Sequence, residues 1–269
     1  MLIVGERINT SRKAIEPAVR DRDVDFIQKL ARDQVEAGAT YVDVNAGTFV
    51  EGEPEALEWL VQTVQAAVSV PVSLDSPSAT AIERALKSVD FGRGKPMINS
   101  ITAESERFEK VLPLAKHYNT KLVALCMDDT GIQQEAGKRF EVARKLVNDL
   151  TAAGIALDDI YVDPLTFPIG TGSEFGVAML DIIRSIKKEF PGVHVIAGIS
   201  NISQGLPVRK LLNQAMTILS MDRGLDAAII DPMDRYLMAL IAATRALLGR
   251  DEFCMDYITM SREGKFEGI

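Results

Sequence analysis

The chain has 269 residues, of which 47% are hydrophobic and 25% charged, a composition typical of a globular protein with a full core. Its net charge of −8 argues against a non-specific nucleic-acid surface, and its apolar runs are too short to predict a signal peptide or a membrane span. The two cysteines, Cys126 and Cys254, supply neither a disulfide framework nor a zinc-ligand set, so we expect a cytoplasmic protein.

Short β-rich runs alternate with helical patterns eight times along the chain. The strands predicted from these runs are 2–4, 40–44, 71–74, 96–98, 121–125, 160–162, 193–199 and 225–230. Each strand is followed by apolar residues spaced three or four apart, which predicts a helix after every strand. Pro113 lies inside the fourth helical pattern, where a kink is expected.

Eight strand–helix units with continuous apolar strands indicate a parallel sheet closed into a barrel. We therefore predict an α/β fold, a single (β/α)₈ TIM barrel over residues 1–269, since no linker or change of composition divides the chain. An open doubly wound sheet would also alternate, but its first strand normally leads into a glycine-rich fingerprint. The sequence Gly5-Glu6-Arg7-Ile8-Asn9 does not have that pattern.

Carboxylates and carboxamides dominate the predicted strand ends, where the chemistry of such barrels lies. The polar residues there are Glu6, Arg7, Asn9, Asp43, Asn45, Asp75, Ser76, Asn99, Ser100, Asp128, Asp129, Asp163, Ser200, Asn201, Ser203 and Asp231. Taken singly, an Asp or Asn after a strand is often only a turn or a helix cap. Asp75, Asn99, Asp163 and Asn201, however, would form a ring around one mouth, which indicates a binding site.

Several kinds of chemistry lack the residues they need. His194 begins the seventh strand and His117 ends a helix, so neither is placed to act as a base in the mouth. Lys95 and Lys121 lie at strand starts, which leaves no lysine for a Schiff base. The acidic residues could hold Mg²⁺, or carboxylates and amides could bind a flat heterocycle that carries N–H donors and a carbonyl.

Six segments, in order along the chain, resemble one enzyme family. They are Gly5-Glu6-Arg7-Ile8-Asn9, Asp43-Val44-Asn45, Leu74-Asp75-Ser76, Ile98-Asn99-Ser100, Asp163-Pro164-Leu165 and Gly198-Ile199-Ser200-Asn201-Ile202-Ser203. Together they resemble the methyltetrahydrofolate:corrinoid protein methyltransferases, relatives of the folate module of cobalamin-dependent methionine synthase. The resemblance spans almost the whole chain and implies a pterin-binding barrel, which dihydropteroate synthase shares more distantly.

The resemblance also implies roles for individual residues. Asp163 would accept hydrogen bonds from N3–H and the 2-amino group of the pterin, Asn99 would bind the N1 edge, and Asp75 would accept near N8. Asn201 matches the asparagine near N5, and with Asp75 and Asp163 it forms the set expected to serve catalysis. The folate-binding set implied by the resemblance is Glu6, Asn9, Asp43, Asn45, Asp75, Asn99, Asp163, Gly198, Ser200, Asn201, Gln204, Arg209 and Asp231.

The implied reaction moves a methyl group, in either direction, between N5 of tetrahydrofolate and the cobalt of a corrinoid protein. N5 must then be protonated, or receive a hydrogen bond that strengthens as charge develops, and Asn201 can donate and accept. Neither histidine lies in an Asp-x-His-x-x-Gly pattern, so we expect cobalamin to arrive on a separate protein and no metal to be bound by this chain. Arg209 would lie near the glutamate tail or the corrinoid partner, and the family implies a homodimer.

Two other functions remain open at this point. A dihydropteroate synthase would need basic residues near the mouth for a diphosphate, and the predicted strand ends are poor in them. A folate-binding protein without catalysis would use the same residues. The physiological direction of transfer and the identity of the corrinoid protein are also open, with acetogenesis, O-demethylation and methylamine or betaine use all compatible.

Overall fold

Eight parallel strands form the centre of the molecule, in a computed structural model that describes residues 1–269. The strands are β1 (Leu2–Asn9), β2 (Tyr41–Asn45), β3 (Val72–Asp75), β4 (Met97–Ala103), β5 (Lys121–Asp128), β6 (Ile160–Asp163), β7 (His194–Val195) and β8 (Ala227–Ile230). They pair in the order β7-β6-β5-β4-β3-β2-β1-β8, so neighbours in sequence are neighbours in the sheet. The predicted α/β barrel is confirmed.

The barrel closes between β7 and β8, where the pairing is thinnest. Backbone hydrogen bonds cross this seam from Asp226 N to Val195 O at 3.3 Å and from Ile229 N to Ala197 O at 2.9 Å. One isolated parallel bridge, between Gly198 and Ile229, completes the closure. The seam therefore has no continuous ladder, whereas the ladders from β8 through β1 to β6 pair three or more residues each.

The seventh strand is shorter than predicted. The sequence pattern predicts an extended run over 193–199, whereas the ladder contains only His194–Val195. Beyond it the chain turns into a short 3₁₀ helix at Ile199–Ser203. An apolar β-branched run in a sequence indicates burial as well as an extended backbone. The run therefore continues past the residues that pair regularly with the neighbouring strands.

Ten α-helices surround or flank the sheet: α1 (Ile15–Arg20), α2 (Val24–Glu36), α3 (Glu53–Gln65), α4 (Ala79–Leu86), α5 (Ser105–Tyr118), α6 (Ala136–Ala152), α7 (Phe175–Glu189), α8 (Arg209–Arg223), α9 (Arg235–Leu247) and α10 (Met255–Arg262). The short helices α1 and α10 were not predicted. Helix α5 runs through Pro113 without a break in its assignment. None of the helices combines the length and the apolar character needed to cross a bilayer.

Strand alternation places polar and apolar side chains at different depths inside the barrel. The interior at the amino-terminal end is filled by a buried cluster of Val4, Tyr41, Met97, Val123, Tyr161, Ile196 and Ala227. Side chains two residues further along a strand point to the same side, one level higher. Asp43, Asn99 and Asp163 follow Tyr41, Met97 and Tyr161 at this spacing, so they stand on the apolar cluster and face the carboxyl-terminal mouth.

His194 links charged groups at the amino-terminal rim, far from that mouth. Its Nδ1 lies 3.0 Å from Asp226 Oδ2 and its Nε2 lies 3.0 Å from Asp158 Oδ1. Asp226 also accepts hydrogen bonds from Val195 N at 2.8 Å and from Lys187 Nζ at 3.0 Å. The hydrogen bond to Asp226, aided by that to Asp158, raises the pKa of His194 against the opposing effect of burial. The cluster therefore ties β7 to the start of β8.

We expect replacement of His194 by glutamine to destabilise the protein mainly at low pH. A histidine with a raised pKa in the folded state contributes stability that is complete below its ordinary pKa and is lost as the pH rises through the raised value. The free energy of unfolding should fall by about 1 kcal/mol at pH 6 and by less at pH 9. Denaturant titrations at both values measure this, with His117→Gln as the matched control because His117 is exposed. Equal losses at the two pH values would contradict the assignment.

Candidate active site at the barrel mouth

A cleft of about 640 Å³ lies inside the carboxyl-terminal mouth of the barrel. Most of the expected folate-binding residues line it: Glu6, Asn9, Asp43, Asp75, Asn99, Asp163, Gly198, Ser200, Asn201, Arg209 and Asp231. Asn45 and Gln204 do not line the cleft. No group of three or more His, Cys, Asp and Glu side chains is arranged to hold a metal ion.

Strand register places three of these polar residues at one level of the barrel. The ladders pair Asn45 with Asp75 and Asp75 with Asn99. Asn45 Nδ2 donates to Asp75 Oδ2 at 2.9 Å, and Asn45 Oδ1 accepts from Gly47 N at 2.9 Å. Asn45 therefore orients the Asp75 carboxylate from the side, which explains why it does not itself face the cleft.

Asp43 and Asp75 form a pair of neighbouring acids in the floor of the cleft. Asp43 is only 2% exposed, and its Oδ1 has no hydrogen-bond partner. Burial and the charge of Asp75 raise the pKa of Asp43 well above its ordinary value. Burial also raises the pKa of Asp75 to about 6, although the hydrogen bond from Asn45 opposes this effect. Two adjacent buried carboxyls do not ionise together readily, so this floor offers both an O–H donor and carboxylate acceptors near neutral pH.

Asp163 ends β6 on the other side of the cleft and is 8% exposed. Its Oδ1 accepts a hydrogen bond from Leu165 N at 2.8 Å, in a turn of the kind that Asp commonly forms. Burial raises the pKa of Asp163 to about 6, with the Leu165 N–H and the charge of Arg139 acting in the opposite direction. The second carboxylate oxygen makes no hydrogen bond within the chain and is available to a ligand.

Glu6 joins the end of β1 to the turn that follows β7. Its Oε1 accepts from Arg12 Nη2 at 2.8 Å, and its Oε2 accepts from Ser200 Oγ at 2.9 Å. Burial raises the pKa of Glu6, and the nearby Arg12 guanidinium opposes that rise. Arg12 was not among the expected site residues, because it lies beyond the strand end in the following loop.

Asn201 lies on the 3₁₀ turn Ile199–Ser203, is exposed, and lines the cleft. Arg209 holds this turn from α8: its Nη2 donates to Ser200 O at 2.6 Å and its Nε donates to Ser203 Oγ at 3.0 Å. Ser203 Oγ in turn donates to Asn213 Oδ1 at 2.7 Å. The hydrogen bonds of Arg209 thus hold the segment on either side of Asn201 in place.

Other rim residues support the turns around the cleft. Arg107 of α5 donates to Ser100 O at 2.9 Å and to Ser76 O at 2.8 Å, and so holds the segments after Asn99 and Asp75. At strand one, Arg7 donates to Asp231 Oδ2 at 2.7 Å.

Asp128 and Asp129 behave as ordinary turn and cap residues, as the sequence suggested. Asp128 Oδ1 accepts from Thr130 N at 2.9 Å, and Asp129 Oδ1 accepts from Ser105 N at 3.0 Å at the start of α5.

Loops supply basic groups that a survey of strand ends misses. Arg12 and Lys210 both line the cleft, from the loop after β1 and from the first turn of α8. The mouth is therefore less poor in basic residues than the sequence suggested. Asn213, Ser11 and Asp234 also line it. The adjacent Arg209-Lys210 pair at the start of a predicted helix was the one sequence signal that could have identified Lys210.

Comparisons with known proteins give consistent results. Residues 5–231 match the protein family described as "Pterin binding enzyme". The methylcorrinoid:tetrahydrofolate methyltransferase of Eubacterium limosum is 37% identical over 268 residues, covering 98% of this chain and 97% of that protein. The methionine synthase of Mycobacterium tuberculosis is 30% identical over 253 residues, which cover 87% of this chain and 21% of the synthase.

Solved structures of similar fold include dihydropteroate synthases. The enzyme from Vibrio fischeri superposes with a TM-score of 0.70 at 16% identity, covering 92% of this chain and 93% of that one. The enzyme from Xanthomonas albilineans in complex with 7,8-dihydropteroate gives a TM-score of 0.67 at 17% identity, covering 93% of each chain. At such low identity the likeness shows the fold alone.

Proposed function

Because the chain belongs to the pterin-binding enzyme family, we propose that the mouth of its barrel binds tetrahydrofolate and that it is a methyltransferase. It moves a methyl group between N5 of tetrahydrofolate and the cobalt of a separate corrinoid protein. The observation that carries this proposal is the full-length likeness to a methylcorrinoid:tetrahydrofolate methyltransferase, combined with a cleft whose free acceptors and amides suit a pterin.

The cleft fits the hydrogen-bonding edge of a pterin. The heterocycle presents N–H donors and a carbonyl, and the cleft presents carboxylate acceptors and carboxamides. Asp163 has one oxygen free, and the buried Oδ1 of Asp43 lacks a partner in the protein, which a ligand N–H would supply. We assign Asp163 to the N3 and 2-amino edge, Asn99 to the N1 side and Asp75 to the region near N8.

Asn201 is assigned to N5, the atom that loses or gains the methyl group. When the methyl group leaves, the N5–carbon bond breaks and its electron pair remains on N5, which needs a proton or a strengthening hydrogen bond. The Asn201 side chain can donate to N5 as charge develops there and can accept when N5 is protonated. With no histidine in the cleft, a network of water and side chains carries the proton.

The remaining residues of the expected folate-binding set differ in their position relative to the cleft. Glu6, Asn9, Gly198, Ser200, Arg209 and Asp231 line the cleft and keep their assignment. Asn45 acts by orienting Asp75. Gln204 is exposed at the end of the 3₁₀ turn, so its contact would be with the folate tail or the corrinoid protein rather than with the pterin ring.

The basic residues of the cleft favour methyl transfer over dihydropteroate synthesis. A diphosphate leaving group needs several cationic side chains that are not already bonded to other groups of the protein. Arg12 is paired with Glu6, and Arg209 is bonded to Ser200 and Ser203. Lys210 alone among the three makes neither an ion pair nor a side-chain hydrogen bond, and a single such cation suits one carboxylate better than a diphosphate.

A transfer assay tests the proposal directly. Purified protein is mixed with methyltetrahydrofolate and a Co(I) corrinoid protein, and formation of the methylated corrinoid is followed by its absorbance. We expect catalytic transfer. Turnover only with a pterin diphosphate and p-aminobenzoate would establish the synthase instead, and tight folate binding without transfer to any corrinoid would establish a binding protein.

Assembly and location complete the proposal. We propose a homodimer, supported by exposed apolar side chains near the carboxyl terminus: Leu247 is 87% exposed and Phe253 is 85% exposed. Sedimentation at micromolar concentration tests this. We place the enzyme in the cytoplasm, which agrees with two cysteines that are both free thiols.

A further inference from the structure

Arg139, on helix α6, is the largest fully buried side chain in the protein. It is 0% exposed, and it makes a single hydrogen bond, from Nη1 to Leu165 O at 2.9 Å. Its Nε and Nη2 are buried without partners. The guanidinium also lies over the ring of Phe167, 4.7 Å from the centroid. A cation in such surroundings is costly unless a negative charge offsets it.

Asp163 is the carboxylate that acts on this cation. Two ionisable groups lie close enough to act on the charge of Arg139, the thiol of Cys126 and the carboxyl of Asp163. Burial raises the pKa of Cys126, so the thiol stays neutral and Asp163 is left as the negative charge. Arg139 is in turn the cation whose charge opposes the rise that burial causes in the pKa of Asp163. Arg139 and Asp163 are therefore each other's counter-charge, one on the outer helix and the other facing the cleft.

The backbone connects the same two residues. Leu165 N donates to Asp163 Oδ1 at 2.8 Å, while Leu165 O accepts from Arg139. Leu165 has a φ of +62°, in the left-handed region that a branched residue rarely adopts. Such a conformation persists when surrounding groups hold it. Arg139 thus holds the carbonyl of the residue whose N–H orients the Asp163 carboxylate.

We propose that Arg139 is a positioning residue for tetrahydrofolate binding, which keeps Asp163 as an anion and aims its free oxygen at the pterin. The inference rests on the proposed function, because it supposes that Asp163 binds the pterin. Arg139 contacts no substrate on this account, and its effect passes through Asp163 alone.

The test measures tetrahydrofolate binding by calorimetry as a function of pH in Arg139→Met and Arg139→Lys. Methionine fills a similar volume without charge, and the carboxyl left without its counter-charge can take up a proton rather than remain a buried anion, so the variant should fold. Without the cation, Asp163 takes up its proton at a higher pH. As the pH is lowered, the affinity for tetrahydrofolate should therefore begin to fall at a higher pH than in the unaltered protein. We expect binding weakened about tenfold at pH 7 and by less at pH 8.5. Arg139→Lys keeps the positive charge, so its affinity should fall with decreasing pH over the same range as in the unaltered protein.

Two controls separate this role from a general structural one. Arg144→Met makes the same change in an exposed part of the same helix, where the arginine pairs with Glu189 and Glu141, and should leave binding unchanged. In an Asp163→Asn background, Arg139→Met should cause no further loss, because the effect passes through the missing carboxylate.

Three results would overturn the inference: an equal loss of binding at every pH in Arg139→Met, an equal loss in Arg139→Lys, or additive losses in the double variant. If Arg139→Met does not fold, the lysine variant decides alone by the shape of its pH profile. A carboxyl NMR titration of Asp163, with Asp163→Asn for assignment, measures the same protonation without folate. Failure of the unaltered protein to bind tetrahydrofolate would contradict the proposed function instead.

Discussion

Replacing Asn201 by alanine is expected to lower the rate of methyl transfer about 100-fold while leaving the tetrahydrofolate dissociation constant within about threefold. The amide is assigned to an interaction that strengthens only as charge develops on N5, so its loss affects the transition state more than the bound ground state. The exposed position of Asn201 agrees with a large effect on rate and a small effect on binding, since removing the side chain leaves no buried partner unsatisfied. Single-turnover transfer to a Co(I) corrinoid protein measures the rate, and calorimetry measures binding.

Gln204→Ala is the matched control for this experiment. Gln204 carries the same amide group at the end of the same 3₁₀ turn but does not line the cleft. With tetrahydrofolate and the corrinoid protein both at saturating concentration, it should leave the single-turnover rate nearly unchanged, because its assigned contact is with the folate tail or the corrinoid protein and not with N5. If Asn201→Ala transfers the methyl group at the rate of the unaltered protein, the assignment of this residue to N5 is wrong, whatever happens to folate affinity.

The second large effect is expected at Asp163. Changing it to asparagine replaces one acceptor oxygen by an NH₂ group, which would face the N–H donors of the pterin and leave them without a partner. A buried mismatch of this kind costs about 1–3 kcal/mol, which corresponds to tetrahydrofolate binding weakened roughly 5- to 150-fold. Asp129→Asn is the control, because Asp129 is exposed at the same rim and caps α5 outside the cleft.

The pH dependence of binding gives a second readout on Asp163. Burial raises its pKa to about 6. As the pH falls through that value the carboxylate gains a proton and ceases to be a pure acceptor, so affinity for folate should decline below about pH 6. Asp75 titrates in the same range and contributes its own share. The asparagine variant should lose the part due to Asp163. An unchanged calorimetric constant, or an acid limb identical to that of the unaltered protein, would remove Asp163 from the pterin site.

Much of the fold follows from sequence because strands and helices in this barrel have different hydrophobic periods. All eight strands were identified, with ends displaced by a few residues. The main departure, the short β7, has a physical cause: Ile196 and Ala197 are buried and keep single backbone bonds to the neighbouring strands, but the regular ladder ends at Val195 and the chain turns into the 3₁₀ helix at Ile199. Burial and pairing have the same signature in an apolar run, so sequence alone cannot separate them. Helices α1 and α10 are short and carry little periodic signal.

The site was accessible from sequence to the extent that it depends on strand ends. Asp75, Asn99 and Asp163 could be placed in one mouth because parallel strands deliver their carboxyl ends to the same rim. Side-chain direction beyond that point was not accessible, which is why Asn45 emerges as a partner of Asp75 rather than as a lining residue. Arg139 was further out of reach, since an arginine within a charged helical segment normally lies in solvent.

The seam between β7 and β8 makes the barrel unevenly stiff. Asp75 and Asn99 stand on strands with paired neighbours on both sides, whereas the turn carrying Asn201 follows a strand with only a few bonds across to β8. Amide protons along this joint should therefore exchange with solvent sooner than those of β2 to β5. On the proposed assignments, the wall expected to hold the pterin can stay rigid while the wall beside N5 yields. We expect such a local opening to let the proposed corrinoid protein approach N5 without disturbing the bound ring.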